Sequence, residues 1–343
     1  MRLRSWFLIV CLAVSALASL STPATLTPIL DLSRLARTSD TILVGRVIGI
    51  TEVARTSVEM SGRKNPAREM VAQLMVDKVL KGSPSSSVAF FHFILPDEFL
   101  GYGSITVGQY AVFLLGNRSD TLWVVDPYYP AVVAYPGASM VAGADLDQIV
   151  AEVAHALISS PDPSVRWHAV RTLFFVETPG ATAALTQTAN GKDTSIRPLA
   201  IAALLRRNDL SFLNEATGLL LRGEKSENQE AVRNFAYAIR DGIKNSDAIP
   251  TLKTLLYAPD SLVRQAAVAA LANTRNSKAV APLAKALQDE DQRVRYEAVF
   301  GLAKIAGQPD WTPSFEYFIQ EEQRFLEHWK DWAKSQEQKD ARF

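Results

Sequence analysis

The segment Asp260–Leu271, with the sequence DSLVRQAAVAAL, decides the architecture of this chain because a close copy, DQRVRYEAVFGL, follows at Asp291–Leu302. Both copies contain the frame Asp-x-x-(Val/Ile)-Arg, and a degenerate version runs from Gln229 to Arg233. The interval between successive arginines is constant except between Arg197 and Arg233, where it is longer. Self-similarity at a nearly fixed period is the signature of a repeat architecture. The complete frames are Asp162–Arg166, Asp193–Arg197, Asp260–Arg264 and Asp291–Arg295.

Each position of the frame has a structural explanation. Aspartate is a strong helix N-cap, and the arginine four residues later lies on the same side of the helix. An alanine follows three residues after every arginine, and a leucine follows seven residues after it in four of the five copies. We therefore interpret the arginines as a structural ladder, and we expect Arg264 to bond to Asp260 or to an equivalent aspartate of a neighbouring repeat. The functional alternative is a row that binds phosphate or carboxylate groups.

A second amphipathic segment follows each frame, for example AIPTLKTLL and AVAPLAKAL. One such helix pair cannot bury its apolar faces alone, so the pairs must stack into a solenoid. At these residues the sequence resembles the HEAT-repeat family, particularly the short HEAT-like units also found in phycobilin lyases. The resemblance covers residues 145–307 and implies a superhelical binding surface, without implying one particular chemistry.

Two copies depart from the pattern. The middle copy has Gln229 where the others have aspartate, and it has Arg240 in place of the leucine. In the second copy Pro198 follows Arg197, a position too deep for a proline if Asp193 caps the helix. We expect that helix to begin late or to be kinked.

The N-terminal half has the period of strands. Its segments TILVGRVIGI, MVAQLMVDKVL, SVAFFHFIL, QYAVFLL and TLWVVD are rich in β-branched and aromatic residues. They predict a small antiparallel β-barrel over residues 28–136 and an α+β fold class for the whole chain. The order SDTILVGRVIGI, VLKG, VGQYAVFLL resembles netrin or tissue-inhibitor-like modules built on OB-type barrels. The helical repeats at 145–307 and a helical C-terminal cap at 308–343 complete the predicted domains.

The first residues predict export. Arg2 and Arg4 precede the apolar run WFLIVCLAV, and Ala16-Leu17-Ala18 supplies a cleavage pattern before Ser19. We interpret residues 1–18 as a cleavable signal peptide, with an uncleaved anchor as the rival, and expect a periplasmic or secreted protein. The only cysteine, Cys11, lies in this segment, so cleavage leaves a chain without thiols.

Charge and side-chain chemistry give no specific reason to propose an enzyme. The chain has 36 basic and 36 acidic residues, so no basic excess favours nucleic-acid binding. No histidine has the spacing of a known metal motif, and no cofactor motif is present. Asp97 and Glu98, together with Asp126, are candidates for acid–base work or cation binding, with solvated turn residues as the alternative. Asn117 begins a glycosylation acceptor sequence, NRS.

The repeats favour a non-enzymatic scaffold that binds another protein or peptide through the second helices of the pairs. Exposed positions that recur at the interval of the frame are the candidate contacts, namely Thr254 with Lys285 and Tyr257 with Gln288. Two other functions stay open. In the first alternative, implied by the tissue-inhibitor resemblance, the N-terminal domain is a binding module that inhibits or binds a secreted enzyme. In the second alternative, the protein is a lyase that acts on a bound chromophore.

The proposed cleavage site predicts the first residue of the exported protein. The protein recovered from the host's exported fraction is expected to begin at Ser19, because the small residues at 16 and 18 suit signal peptidase. N-terminal sequencing together with intact mass measures this. A chain that retains Met1 in a membrane fraction would support the anchor instead.

Overall fold

The computed structural model describes residues 29–60, 62–84, 86–98, 102–222 and 229–340. The predicted signal peptide at 1–18, with Cys11, lies outside these ranges. A mixed β-sheet forms the N-terminal part, and an all-helical region follows it to the C-terminus. This order confirms the predicted α+β class.

The sheet closes on itself. Its strand order is β1-β2-β3-β5-β4-β6, and β1 also pairs with β4, so the first five strands form a barrel. One pair departs from the antiparallel arrangement predicted for the barrel, since β3 and β5 run parallel, with Phe91 opposite Leu122. The strands are β1 (Thr41–Met60), β2 (Arg63–Lys81), β3 (Val88–Pro96), β4 (Tyr110–Arg118), β5 (Thr121–Val124) and β6 (Val132–Val133).

The barrel interior is filled by one face of each strand. Phe91, Phe93 and Phe113 are almost fully buried there, and the rings of Phe91 and Phe113 lie 5.0 Å apart. At Gly45 a Cβ atom would come within 2.2 Å of the Met75 carbonyl oxygen, so glycine permits the close approach of β1 to β2. The alternation of side chains expected of strands places the remaining apolar positions on the outside.

Part of that outer face is buried by helices. Ile42, Val44, Val112 and Leu114 belong to the same apolar cluster as the helical region. The short helix α1 (Leu32–Thr38) and the long helix α2 (Asp145–Ser159) pack against each other, and α2 also contacts β2 and β6. The barrel and the repeats are therefore joined through a continuous hydrophobic core.

The repeats are helix pairs. The first helices pack each against the next along the chain, while the second helices form the other layer. The first helices are α3 (Pro163–Leu173), α5 (Arg197–Arg206), α7 (Gln229–Gly242), α9 (Ser261–Asn273) and α11 (Gln292–Ala306). The second helices are α4 (Pro179–Ala189), α6 (Leu213–Arg222), α8 (Ile249–Leu255) and α10 (Val280–Ala286).

The frame residues act locally as their chemistry predicts. Asp162, Asp260 and Asp291 are N-caps that accept hydrogen bonds from backbone amides of the first turn. The second copy differs because α5 begins only at Arg197, and Asp193 instead accepts a bond from the Ser195 amide at 3.0 Å. Pro198 thus lies in the first turn of a helix that begins late, where a proline is tolerated.

Close packing of the first helices explains the small residues of the frame. The alanines that follow the arginines and the leucines one turn further are fully buried. Between α5 and α7 the backbones are so close that a Cβ atom on Gly242 would lie 2.3 Å from the Arg206 Cα. The fully buried alanines and leucines are Ala169, Ala200, Ala236, Ala267, Ala298, Leu173, Leu204, Leu271 and Leu302.

The end of the stack is covered by helices α12 (Phe315–Gln320) and α13 (Glu322–Asp340). Phe318 and Trp329 are fully buried, and α13 packs against both α10 and α11. The ring of His328 stacks on that of Trp311 at 3.5 Å between centroids. These contacts bury the apolar face that the last repeat would otherwise expose.

One ion pair is buried where the barrel meets α2. Lys78 on β2 donates to a carboxylate oxygen of Glu152 at 2.6 Å, and the two side chains are 14% and 2% exposed. The second oxygen of Glu152 is buried without a hydrogen-bond partner. An uncompensated charge at this depth is strongly unfavourable, so each residue requires the other.

Replacing Lys78 by methionine is expected to lower the free energy of unfolding by about 3–5 kcal/mol, because Glu152 becomes an unpaired buried charge. The double variant Lys78→Met/Glu152→Leu removes both charges and is expected to recover most of that loss. Chemical denaturation followed by circular dichroism measures both variants. A single variant as stable as the parent chain would contradict the assignment.

Candidate interaction surface

The arginine that begins α9 is a joint between repeats. Arg264 donates two hydrogen bonds to Asp289, each of 2.9 Å, and two more to the carbonyl oxygens of Ala258 and Pro259. Its side chain is only 7% exposed. The hydrogen bond to Asp289 raises the pKa of the guanidinium above its usual range. The partner is thus an aspartate of the next repeat, two residues before the frame aspartate Asp291, whereas Asp260 only caps its own helix.

The other ladder arginines use different carboxylates. Arg166 bonds to Asp193, the frame aspartate of the next repeat, at 3.0 Å. Arg295 bonds at 2.5 Å to Glu322, which opens the capping helix α13. The guanidinium of Arg197 pairs with Glu215 of α6, and this hydrogen bond lowers the pKa of that carboxyl.

The degenerate frame lacks such a joint. Arg233 is exposed, and its guanidinium donates to the side chain of Gln229 at 3.4 Å. A different arginine of the same helix, Arg240, reaches Glu297 of α11 at 3.2 Å. Position 240, where the other copies have leucine, therefore links the middle repeat to the last repeat.

The predicted contact residues lie at the C-terminal ends of α8 and α10 or within two residues beyond them. Tyr257 is 59% exposed, and the Lys285 ammonium lies 4.5 Å from the centre of its ring. The same ammonium also donates to the hydroxyl of Tyr257. Thr254, in the last turn of α8, and Gln288, two residues beyond α10, are also exposed, and the Thr254 hydroxyl donates to the Thr251 carbonyl oxygen at 2.7 Å.

The Tyr257–Lys285 contact was not predicted from the sequence. The repeat interval pairs Tyr257 with Gln288, whereas the observed contact joins Tyr257 to Lys285 of the next repeat. Leu252, Leu255 and Leu283 are fully buried directly beneath this face. We call the set of Thr254, Tyr257, Lys285 and Gln288 the α8–α10 face.

Two of the three acidic residues considered for chemistry lie in separate ion pairs, and the third, Glu98, is exposed. Asp97 is held by Arg55 at 3.2 Å and by Arg68 at 2.9 Å, and Asp126 is held by Arg34 at 2.8 Å. Their negative charges are thereby compensated.

The histidines have local partners of their own. His92 lies 2.7 Å from Glu69 on the neighbouring strand and stacks on Trp123. His155 lies 3.1 Å from the Pro136 carbonyl oxygen, and the ring of His168 packs edge-on against Trp167. Over the described ranges, no cluster of three His, Cys, Asp or Glu side chains is arranged to hold a metal ion.

The structure shows a groove that the sequence did not indicate. It has a volume of about 750 Å³ and lies between the start of α4, the loop after α5 and the end of α7. Its ionisable lining residues are Glu177, Arg206, Arg207 and Lys244. Of the helices in the part of the chain that the structure describes, none is long and apolar enough to cross a membrane.

Comparison with known proteins supports HEAT-type repeats over part of the helical region. Residues 216–303 and 249–324 match the family model of HEAT repeats. None of the curated proteins matches this sequence. Among solved structures, the chain is similar to an engineered protein at 20% identity and a TM-score of 0.35, over 55% of this chain. The similarity covers 59% of the length of that engineered protein.

Replacing Arg264 by alanine is expected to lower the free energy of unfolding by about 3–5 kcal/mol, because Asp289 and two carbonyl oxygens lose their donor. The matched control is Arg233→Ala, at the same frame position but exposed, for which we expect a change within about 0.5 kcal/mol. Denaturant unfolding of the two variants measures the difference. Equal losses would show that frame position, and not the buried contacts of Arg264, determines the effect.

Proposed function

From the match of residues 216–324 to the HEAT-repeat family, we propose that this protein is an exported scaffold that binds another protein through the α8–α10 face. HEAT repeats stack into extended surfaces of this kind. The observation that carries the proposal is the preformed contact between Tyr257 and Lys285 across two adjacent repeats.

The chemistry of this contact suits a protein partner. An exposed tyrosine offers a large, rigid apolar ring with a polar end, and tyrosine is enriched among the residues that dominate interface energies. Lys285 lies over the ring of Tyr257 and holds it in one position, which reduces the entropy that binding would cost. Buried leucines under the face keep the two helices in register.

Export is supported by the N-terminal sequence alone. The two arginines, the short apolar run and the small residues before Ser19 have the order of a secretory signal. The absence of cysteine after residue 11 means that the exported chain depends on its core and ion pairs for stability.

A second candidate function concerns the barrel. Met75 on β2 and Phe90 on β3 are 50% and 57% exposed, which is unusual for side chains of this size. Together with the resemblance to tissue-inhibitor-like modules, this supports the barrel as a binding module for a secreted enzyme. The lyase function remains a prediction from the repeat type.

The test begins by crosslinking in the native compartment, with a photoreactive residue in place of Tyr257, to identify the partner. The double variant Tyr257→Ala/Lys285→Ala is then expected to weaken binding by about tenfold or more, since hot-spot truncations cost about 2 kcal/mol. Binding measured by calorimetry with the purified partner gives this ratio.

The matched control is Tyr237→Ala, because Tyr237 is 50% exposed but lies on α7, in the layer of first helices. This control is expected to change the affinity by less than about twofold. If Tyr237→Ala weakens binding as much as the double variant, the α8–α10 face is not the contact surface. If Phe90→Ser alone abolishes binding, the barrel is the binding module.

A further inference from the structure

A row of cations follows one edge of the stack. The loops that join first helices to second helices all lie at this edge, because each pair is antiparallel. Arg206 ends α5, Lys244 lies just after α7, Arg275 follows α9 and Lys304 lies in the last turn of α11. We call these four residues the cation row. Lys244 and Arg275 are separated by the interval of the repeat, so they occupy equivalent positions of successive repeats.

The row begins in the groove of about 750 Å³ described above. Three of the four ionisable residues lining that groove are cations, and the only carboxylate among them is Glu177. Glu177 is 70% exposed and lies 3.6 Å from Arg206. The groove is therefore a concave surface with an excess of positive charge.

Some of these cations have structural partners. Arg207 donates to the carbonyl oxygens of Leu173 and Val176 at 2.8 and 2.6 Å, so it satisfies groups at the end of α3. Lys304 donates to the side-chain oxygen of Asn273 at 2.7 Å. Cations near helix C-termini also interact favourably with the helix dipole. These contacts explain Arg207 and Lys304 without a ligand.

The same explanation does not cover Lys244 and Arg275. Both side chains are exposed and, among the described residues, neither side chain makes a hydrogen bond or an ion pair. Arg275 also occupies a left-handed backbone conformation, with φ of 50°, beyond the end of its helix. Partial desolvation lowers the pKa of Lys304, and the neighbouring charges of Arg275 and Lys244 lower it further. Like charges are thus held close together.

The loop carrying Lys244 is held in place by the preceding repeat. The side-chain oxygen of Asn208 accepts hydrogen bonds from the backbone amides of Lys244 and Asn245, at 2.8 and 3.0 Å. Asn208 itself has a φ of 62°, a conformation that asparagine tolerates better than most residues. The backbone at Lys244 is therefore ordered before any ligand binds.

We propose that the cation row binds an acidic segment of a partner protein in extended conformation, with Lys244 and Arg275 as the principal contacts. The inference rests on the proposed function only in taking the partner to be a protein, and it uses a different surface from the α8–α10 face. Adjacent packed helices are about 8–10 Å apart. A chain in the extended polyproline II conformation has three residues per turn and advances about 9 Å per turn, so an acidic side chain at every third position meets one cation per repeat.

The arrangement favours a peptide over other anions. The cations are distributed one per repeat along the edge, and this regular spacing matches a chain with regularly spaced acidic side chains. The whole chain has a formal net charge of 0, whereas nucleic-acid binding relies on a broad basic surface.

The test uses the full chain and a fluorescent peptide with glutamate at every third position, separated by glycine and serine. Fluorescence anisotropy at low salt is expected to show binding that weakens as salt is raised. The double variant Lys244→Glu/Arg275→Glu is expected to weaken it at least tenfold, while Lys244→Arg/Arg275→Lys keeps it. The matched control is Lys192→Glu/Lys253→Glu, with the same charge change at the opposite edge of the stack, and it is expected to leave binding unchanged.

Each outcome decides the proposal. Failure of the parent chain to bind the peptide, or equal loss in the control reversal, would overturn it. Preferential binding of heparin or single-stranded DNA at Lys244 and Arg275 would also overturn it, in favour of a polyanion site. Thermal unfolding of both reversals confirms that the fold is retained. The variant Tyr257→Ala/Lys285→Ala is expected to keep peptide binding, so failure here and failure of the α8–α10 face are distinguishable.

Discussion

A helix pair in this chain has more apolar surface than it can bury within itself. The pairs therefore stack on one another, and this stacking determines the arrangement of the helical region. Stacking brings first helices into contact through fully buried alanines such as Ala267 and Ala298. Before α3, α9 and α11 the carbonyl oxygens of the preceding turn need donors. Arg264 supplies these donors and also holds a carboxylate of the next repeat, so one side chain closes the joint. A charge in an apolar helix is thereby a consequence of stacking.

Burial of apolar surface also joins the barrel to the repeats. The outer faces of β1 and β4 carry apolar residues that α1 and α2 cover, so the first repeat needs no separate N-terminal cap. At the other end, α12 and α13 provide the cover with aromatic side chains, above all Trp329. The buried pair of Lys78 and Glu152 lies within the N-terminal junction, and its strict geometry limits how the barrel can sit on α2.

The structural cations have hydrogen-bonding partners within the protein, and this distinguishes them from the candidate binding residues. Arg166, Arg264 and Arg295 have carboxylates and carbonyl oxygens within hydrogen-bonding distance, and their positions follow from stacking. Lys244 and Arg275 lie at the opposite edge of the stack and have no such partners among the described residues, although the backbone at Lys244 is ordered by Asn208. A cation that is held in place and left unpaired has a free energy to gain from an anionic partner.

Several features could be predicted from the amino-acid sequence because they depend on local chemistry. The repeat period, the aspartate caps, the late start of α5 just before Pro198 and the strand-rich first half all depend on neighbours a few residues away, or on a pattern that recurs along the chain. The parallel pairing of β3 with β5, the choice of Asp289 by Arg264, the contact of Lys285 with Tyr257 and the groove beside Lys244 were decided only by the tertiary structure. These features join residues whose separation in space depends on how the strands close and how each helix pair rotates on the next, and no local pattern encodes that rotation.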